Sequence, residues 1–145
     1  MIKDVKIDIK GIQQADDQSD TIEFQTDGRF GEKDGKYFIS YDEGQMFENS
    51  NVKTKIFINP DNSVVLQRSG DINTRMEITQ GGRSSCFYGT AVGDICIGLY
   101  GELIEANLNQ SGGSLKMIYT IDSDLRFISR NEVIITIKEV TECQC

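Results

Sequence analysis

Apolar and polar residues alternate along most of this chain with a period of two. Val5, Ile7 and Ile9 alternate with Lys6, Asp8 and Lys10, the signature of a strand with one wet face. An acidic stretch, Asp16-Asp17-Gln18-Ser19-Asp20, reads as a solvated loop, and Ile22, Phe24 and Thr26 then share one face of a second strand. After a glycine-bearing turn, residues 36–41 put Tyr37, Ile39 and Tyr41 on one side and Phe38 on the other. Val52, Thr54, Ile56 and Ile58 alternate with Lys53, Lys55 and Phe57. Asn59-Pro60-Asp61-Asn62 follows as a hairpin tip, because proline presets φ and Asx side chains favour turns.

Residues 64–69 form the return strand, residues 74–79 another that closes at Gly81-Gly82, and residues 85–88 a shorter one. Residues 94–109 begin extended through Ile95, Ile97 and Leu99, with bulges expected at Gly98 and Gly101. Residues 102–108 fit a strand or a single helical turn, and strand is preferred. A turn is expected at Ser111-Gly112-Gly113, followed by the alternation of Leu115, Met117, Tyr119 and Ile121. Val133, Ile135 and Ile137 mark the last strand, before a Cys143-Gln144-Cys145 tail. Nine or ten sequential strands with one mainly apolar face, separated by turn signals about every 8–12 residues, predict an all-β, single antiparallel closed barrel over residues 1–140, with 141–145 as a tail. A Greek-key sandwich is the alternative, since periodicity does not reveal which strands pair.

Composition agrees with strands: 19 Ile and 7 Val stand against 6 Leu and 3 Ala, and branching at Cβ suits a pleated surface better than a helix. The chain has 145 residues, enough for one core. Its formal charge of −8 repels polyphosphate backbones and anionic membrane surfaces, so neither nucleic acid nor membrane is an expected partner. No segment is apolar enough for secretion or a membrane span, which places the chain in the cytoplasm and its four cysteines as thiols. Cys86 and Cys96 read as small strand hydrophobes. The absence of histidine excludes imidazole nucleophile pairs, imidazole acid–base catalysis and histidine-ligated zinc.

Several segments together resemble a known family: Thr26-Asp27-Gly28-Arg29-Phe30, the run from Asp34 through Glu43, Arg68-Ser69-Gly70, Met76, and the run from Gly112 through Tyr119. In order and spacing they are similar to the YwiB-like family of small uncharacterised bacterial proteins, over essentially the whole length. The resemblance implies a calycin-like, lipocalin-like β-barrel and no established activity. Fold analogy with ligand-binding calycins does not by itself specify function. Ala91 stands where the family carries proline, and the Cys-x-Cys tail also departs from it.

With the apolar parity of each strand taken as inward, the inward polar residues are Thr26, Tyr37, Tyr41, Thr54, Arg68, Thr74, Tyr88 and Tyr119. Arg68 is the unusual member, because a guanidinium does not shed its charge and needs a carboxylate, carbonyls, water or an anionic ligand. One reading makes Arg68 an interior anchor for an anionic head group, with Tyr37, Tyr41, Tyr88 and Tyr119 lining the site and donating hydroxyl hydrogen bonds. The other lets Arg68 snorkel to the rim beside Ser69-Gly70, or pair with Glu43 or Glu77, and leaves the tyrosines as ordinary strand aromatics.

Cys143 and Cys145 offer two thiolates but no histidine beside them, and Asp16–Asp20 lacks the glycine and distal glutamate of a calcium loop, so no metal is expected. No cofactor is expected either. No carboxylate falls on an inward strand position, and neither Gly81-Gly82 nor Gly112-Gly113 leads into a helix with a lysine, which argues against acid–base hydrolysis and a phosphate loop. The reading is a non-catalytic cytoplasmic binder of a small amphipathic or anionic ligand. The alternative is an interaction or assembly module, such as a homodimer, with Phe38, Phe57, Phe87 and Tyr100 as its contact surface. A connected interior cavity of roughly 300 Å³ or more would favour the binder, and a filled middle the module.

Overall fold

β-branched residues at alternate positions stiffen the chain into extended segments with one apolar face, and a closed barrel buries all of those faces at once. The computed structural model describes residues 2–42, 51–70, 73–90, 93–123 and 126–140, without the side chains of 87–90 and 93–95. The ten strands are β1 (Ile2–Ala15), β2 (Gln18–Lys33), β3 (Lys36–Asp42), β4 (Val52–Ile58), β5 (Val64–Gly70), β6 (Thr74–Ile78), β7 (Arg83–Thr90), β8 (Gly93–Asn109), β9 (Gly112–Ser123) and β10 (Arg126–Glu139). Each pairs antiparallel with its sequence neighbours, and β1 also pairs with β10, so the barrel closes up and down rather than as a sandwich.

Tight turns set the register. Asp16 and Asp17 both have positive φ, 48° and 64°, as do Asp34 and Gly35 at 55° and 79°, the conformation that two-residue hairpins with right-handed strand twist require. The acidic stretch is therefore a two-residue turn, and Gln18, Ser19 and Asp20 already belong to β2. Likewise β2 runs on through Gly28 to Lys33, leaving Asp34-Gly35 alone as the turn to β3. Residues 102–108 are strand throughout, within β8.

The β8 bulge lies at Gly101–Leu103, as expected for Gly101. There the β6–β7 turn is stitched onto β8: Gly81 N–H donates to the Gly101 carbonyl at 2.8 Å, Gly101 N–H to the Gly82 carbonyl at 3.1 Å, and Ile104 N–H to Gln80 Oε1 at 2.9 Å. Gly98 makes no bulge. Its register with Ser85 and Asp122 is continuous, and the bidentate Arg83–Asp122 pair, at 2.5 and 2.6 Å, lies across it where a Cβ would overlap both side chains.

Among the described residues, one contiguous cluster of buried side chains draws on all ten strands, including Ile7, Phe30, Ile39, Ile56, Val64, Ile78, Cys86, Leu99, Met117 and Ile135. Each fully buried aliphatic or aromatic side chain of this kind stabilises the fold by about 1.5–3 kcal/mol. Cys86 joins the cluster, whereas Cys96, paired with Phe87 on the opposite parity, is exposed and no core hydrophobe. No helix among the described residues is long and apolar enough to cross a membrane.

Candidate functional site

Strand register brings most of the inward polar residues into one line. Tyr41 pairs with Thr54, Thr54 with Arg68, Arg68 with Thr74, and Thr74 with Tyr88, so consecutive members of the row sit one strand apart, about 4.8 Å. Parity makes the row inward, since Thr54 continues Ile56 and Ile58, Arg68 continues Leu66 and Val64, and Thr74 continues Met76 and Ile78. Tyr119 faces it from β9: the phenol is buried among the core side chains, burial holds its pKa above the usual tyrosine value, and the nearby positive charge of Arg68 partly opposes that shift. Tyr119 is thus a neutral hydroxyl throughout the physiological range.

The row is polar at a depth where polar groups need partners. Thr54 and Thr74 are only 2% and 5% exposed, and Arg68 and Tyr41 are half-buried. Arg68, Tyr41, Thr54 and Thr26 are each engaged by a neighbour. The Thr74 hydroxyl is different, because among the described residues Oγ1 is buried and has no hydrogen-bond partner. A hydroxyl in that position ordinarily costs about 1–3 kcal/mol until it is satisfied. It stands directly beside Arg68 in the register, so the pair offers an O–H donor next to a guanidinium.

Not all the expected residues converge here. Tyr37 lies on the same face of β3 as Tyr41 but four residues away, about 14 Å along the strand. Its ring stacks on Phe30, with centroids 5.6 Å apart and planes 11° apart, as part of the apolar packing. Thr26 is buried beside Ile7, one inward position beyond Gly28, which itself pairs with Tyr41. The side chain of Tyr88 and all of Glu43, Cys143 and Cys145 lie outside the described residues. Glu77 is not available to Arg68, since it has the outward parity of β6 and lies 3.9 Å from Arg75. No three Cys, Asp or Glu side chains among those described converge on a possible metal position.

Sequence reasoning found the members of the row through parity but not their alignment, and it gave no weight to Thr74. It also passed over the grooves of the outer wall. One, of about 320 Å³, is bordered by Arg29, Lys53 and Lys55 together with Asp4, Asp27 and Asp42, and another, of about 390 Å³, by Lys33, Asp34, Lys36, Phe38, Phe57 and Pro60.

Comparison with known proteins adds the family and the fold. A family model described as Domain of unknown function (DUF1934) matches residues 7–135. The crystal structure of the ywiB protein from Bacillus subtilis superposes with a TM-score of 0.85 at 21% identity, covering 97% of this chain and 94% of that one, a likeness that carries the fold alone. No curated protein matches the chain.

Proposed function

The chain belongs to the family described as Domain of unknown function (DUF1934), and from that premise we propose that this barrel binds a small anionic ligand at the end of its interior marked by Arg68. The observation that carries the reading is the buried Thr74 hydroxyl, which has no hydrogen-bond partner among the described residues, beside Arg68. A carboxylate accepting from Thr74 Oγ1 would satisfy that hydroxyl and gain a charge-assisted contact from the guanidinium beside it. Tyr41 and Tyr119 supply hydroxyls and ring faces around it. The ligand is small, because Ile39, Ile56, Leu66 and Met76 fill the next layer inward and leave a tail to point toward the opening. No step of catalysis is assigned, and a cytoplasmic setting suits a binder of free metabolites.

Native against denaturing mass spectrometry on gently purified protein tests the reading, with a retained small mass expected. In parallel, Arg68→Met should abolish uptake of an anionic fluorescent probe with little loss of fold. Unchanged uptake would sink the proposal.

A second reading, the interaction module, is favoured by the packed middle of the barrel, so the binder reading is confined to the polar end marked by Arg68 and does not rest on a central cavity. It predicts a concentration-dependent species in sedimentation if the partner is a second copy, and a strict monomer would remove that form of it.

A further inference from the structure

The nine lysines divide into two groups. Lys3, Lys6, Lys10, Lys116 and Lys138 each face a carboxylate, on Glu139, Asp27, Glu23, Glu132 and Asp8 respectively. These five lie on β1, β9 and β10 or the strands' shared border. Lys33, Lys36, Lys53 and Lys55 have no such partner among the described residues, and all four project from the outer wall of β2, β3 and β4 or the turn between them. In a chain with 23 acidic residues against 15 basic ones, these four ammonium groups outnumber the acids beside them, Asp34 and Asp42, once those already paired with Arg29 or Lys6 are set aside, and leave the face locally positive.

The same face is aromatic at its centre. Phe38 and Phe57 stand directly opposite each other, Ser40 opposite Lys55, and Asp42 opposite Lys53. Lys36 Nζ lies 5.1 Å from the Phe57 ring centroid. Read along the two strands, the outward positions run Lys53, Lys55, the phenylalanine pair, Lys36, in steps of two residues, about 6.8 Å each. Asp42 and Asp34 mark the two ends of that ladder. The two outer grooves follow it, one where Lys53, Lys55 and Arg29 stand with Asp4, Asp27 and Asp42, and one between Lys33, Lys36, Phe38, Phe57 and Pro60 with Asp34 at its edge.

We infer that this face of β3 and β4 docks an extended acidic segment of a partner protein, with carboxylates at alternate positions meeting Lys53, Lys55 and Lys36 and one apolar or aromatic side chain between them on Phe38 and Phe57. An extended peptide repeats its side-chain direction every two residues, so its spacing is the spacing of the ladder. Charge complementarity selects the acid, and the phenylalanine pair selects the apolar residue between acids. A single-stranded nucleic acid fits the face less well. The ring it would stack on is already faced by Lys36, and the forked donors suited to phosphate, Arg29 and Arg75, have carboxylates of Asp4 and Glu77 at 3.7 and 3.9 Å. The docking face is on the outer wall, so the inference is independent of the anion site inside.

The test is amide chemical-shift mapping of the full chain with three probes: the capped peptide Asp-Thr-Asp-Thr-Phe-Thr-Asp, the same peptide with lysine for aspartate, and a ten-residue oligothymidylate. The acidic peptide should shift outward-facing amides of β3 and β4, weaken with added salt, and bind about fivefold to tenfold less tightly to the K53Q/K55Q double variant, whose exposed substitutions leave the fold intact. No shift with acidic peptide at about 1 mM would overturn the inference, as would shifts confined to another face. Binding of the oligothymidylate as tight as that of the acidic peptide would also overturn it, by assigning the face to nucleic acid.

Discussion

The two ends of the barrel interior are built from the same four strands and finish in opposite ways. On β3 through β6, Tyr37, Ile58, Val64 and Ile78 form one cross-strand layer, and four residues along the same strands Tyr41, Thr54, Arg68 and Thr74 form another. The first closes in apolar contact, with Ile58, Val64 and Ile78 at most 2% exposed and Tyr37 stacked on Phe30. The second is equally deep at its threonines yet polar across its width, with a hydroxyl that has no partner among the described residues. The first layer needs no explanation beyond hydrophobic burial. The second works against burial, and the anion site proposed above is what would account for it.

Substitutions that treat the layers as equivalent should separate them. The largest effect belongs to the packed middle they share: Ile56→Ala should destabilise the fold by about 2–5 kcal/mol in denaturant unfolding, since it opens a cavity under both. Next, Val64→Thr in the apolar layer places a hydroxyl where no partner waits, and should cost about 1–3 kcal/mol. The reciprocal change in the polar layer, Thr74→Val, should leave stability unchanged or raise it by up to about 1 kcal/mol, because it removes an unsatisfied group of the same shape. Equal destabilisation by these two changes would erase the distinction between the ends.

The smallest effect is one of pH. Burial raises the Tyr119 pKa above its unfolded value of about 10, so the phenol contributes stability that is fully present below about pH 10 and is lost as pH climbs through the folded value. Tyr119→Phe should flatten that alkaline loss relative to the parent, as read from unfolding midpoints at several pH values.

Much of the architecture was legible from period-two alternation, because in a barrel every strand has one wet face and one dry one. Parity alone placed Tyr41, Thr54, Arg68, Thr74 and Tyr119 inside. What parity does not carry is register, so Tyr37 was grouped with Arg68 although it sits at the far end. Register depends on where the chain reverses, and Asp16-Asp17 was misread because aspartate tolerates positive φ without a glycine to announce the turn. Gly98 was misread for a related reason: its missing side chain makes room for the Arg83–Asp122 pair, a contact between residues 39 positions apart. That the Thr74 hydroxyl lacks a hydrogen bond, and Lys53 and Lys55 an ion pair, among the described residues is likewise a property of neighbours across strands, and sequence supplies those only once pairing is known.

The most direct test of the anion site is a calorimetric titration of benzoate into the parent chain, Arg68→Met and Thr74→Val. The parent should bind, with an affinity constant between about pH 6 and pH 8 because neither the guanidinium nor the raised Tyr119 phenol titrates there. Arg68→Met should lose at least about tenfold in affinity and Thr74→Val a few-fold, in keeping with one charged and one neutral hydrogen bond. Absence of binding to the parent, or equal binding by all three, would contradict the account.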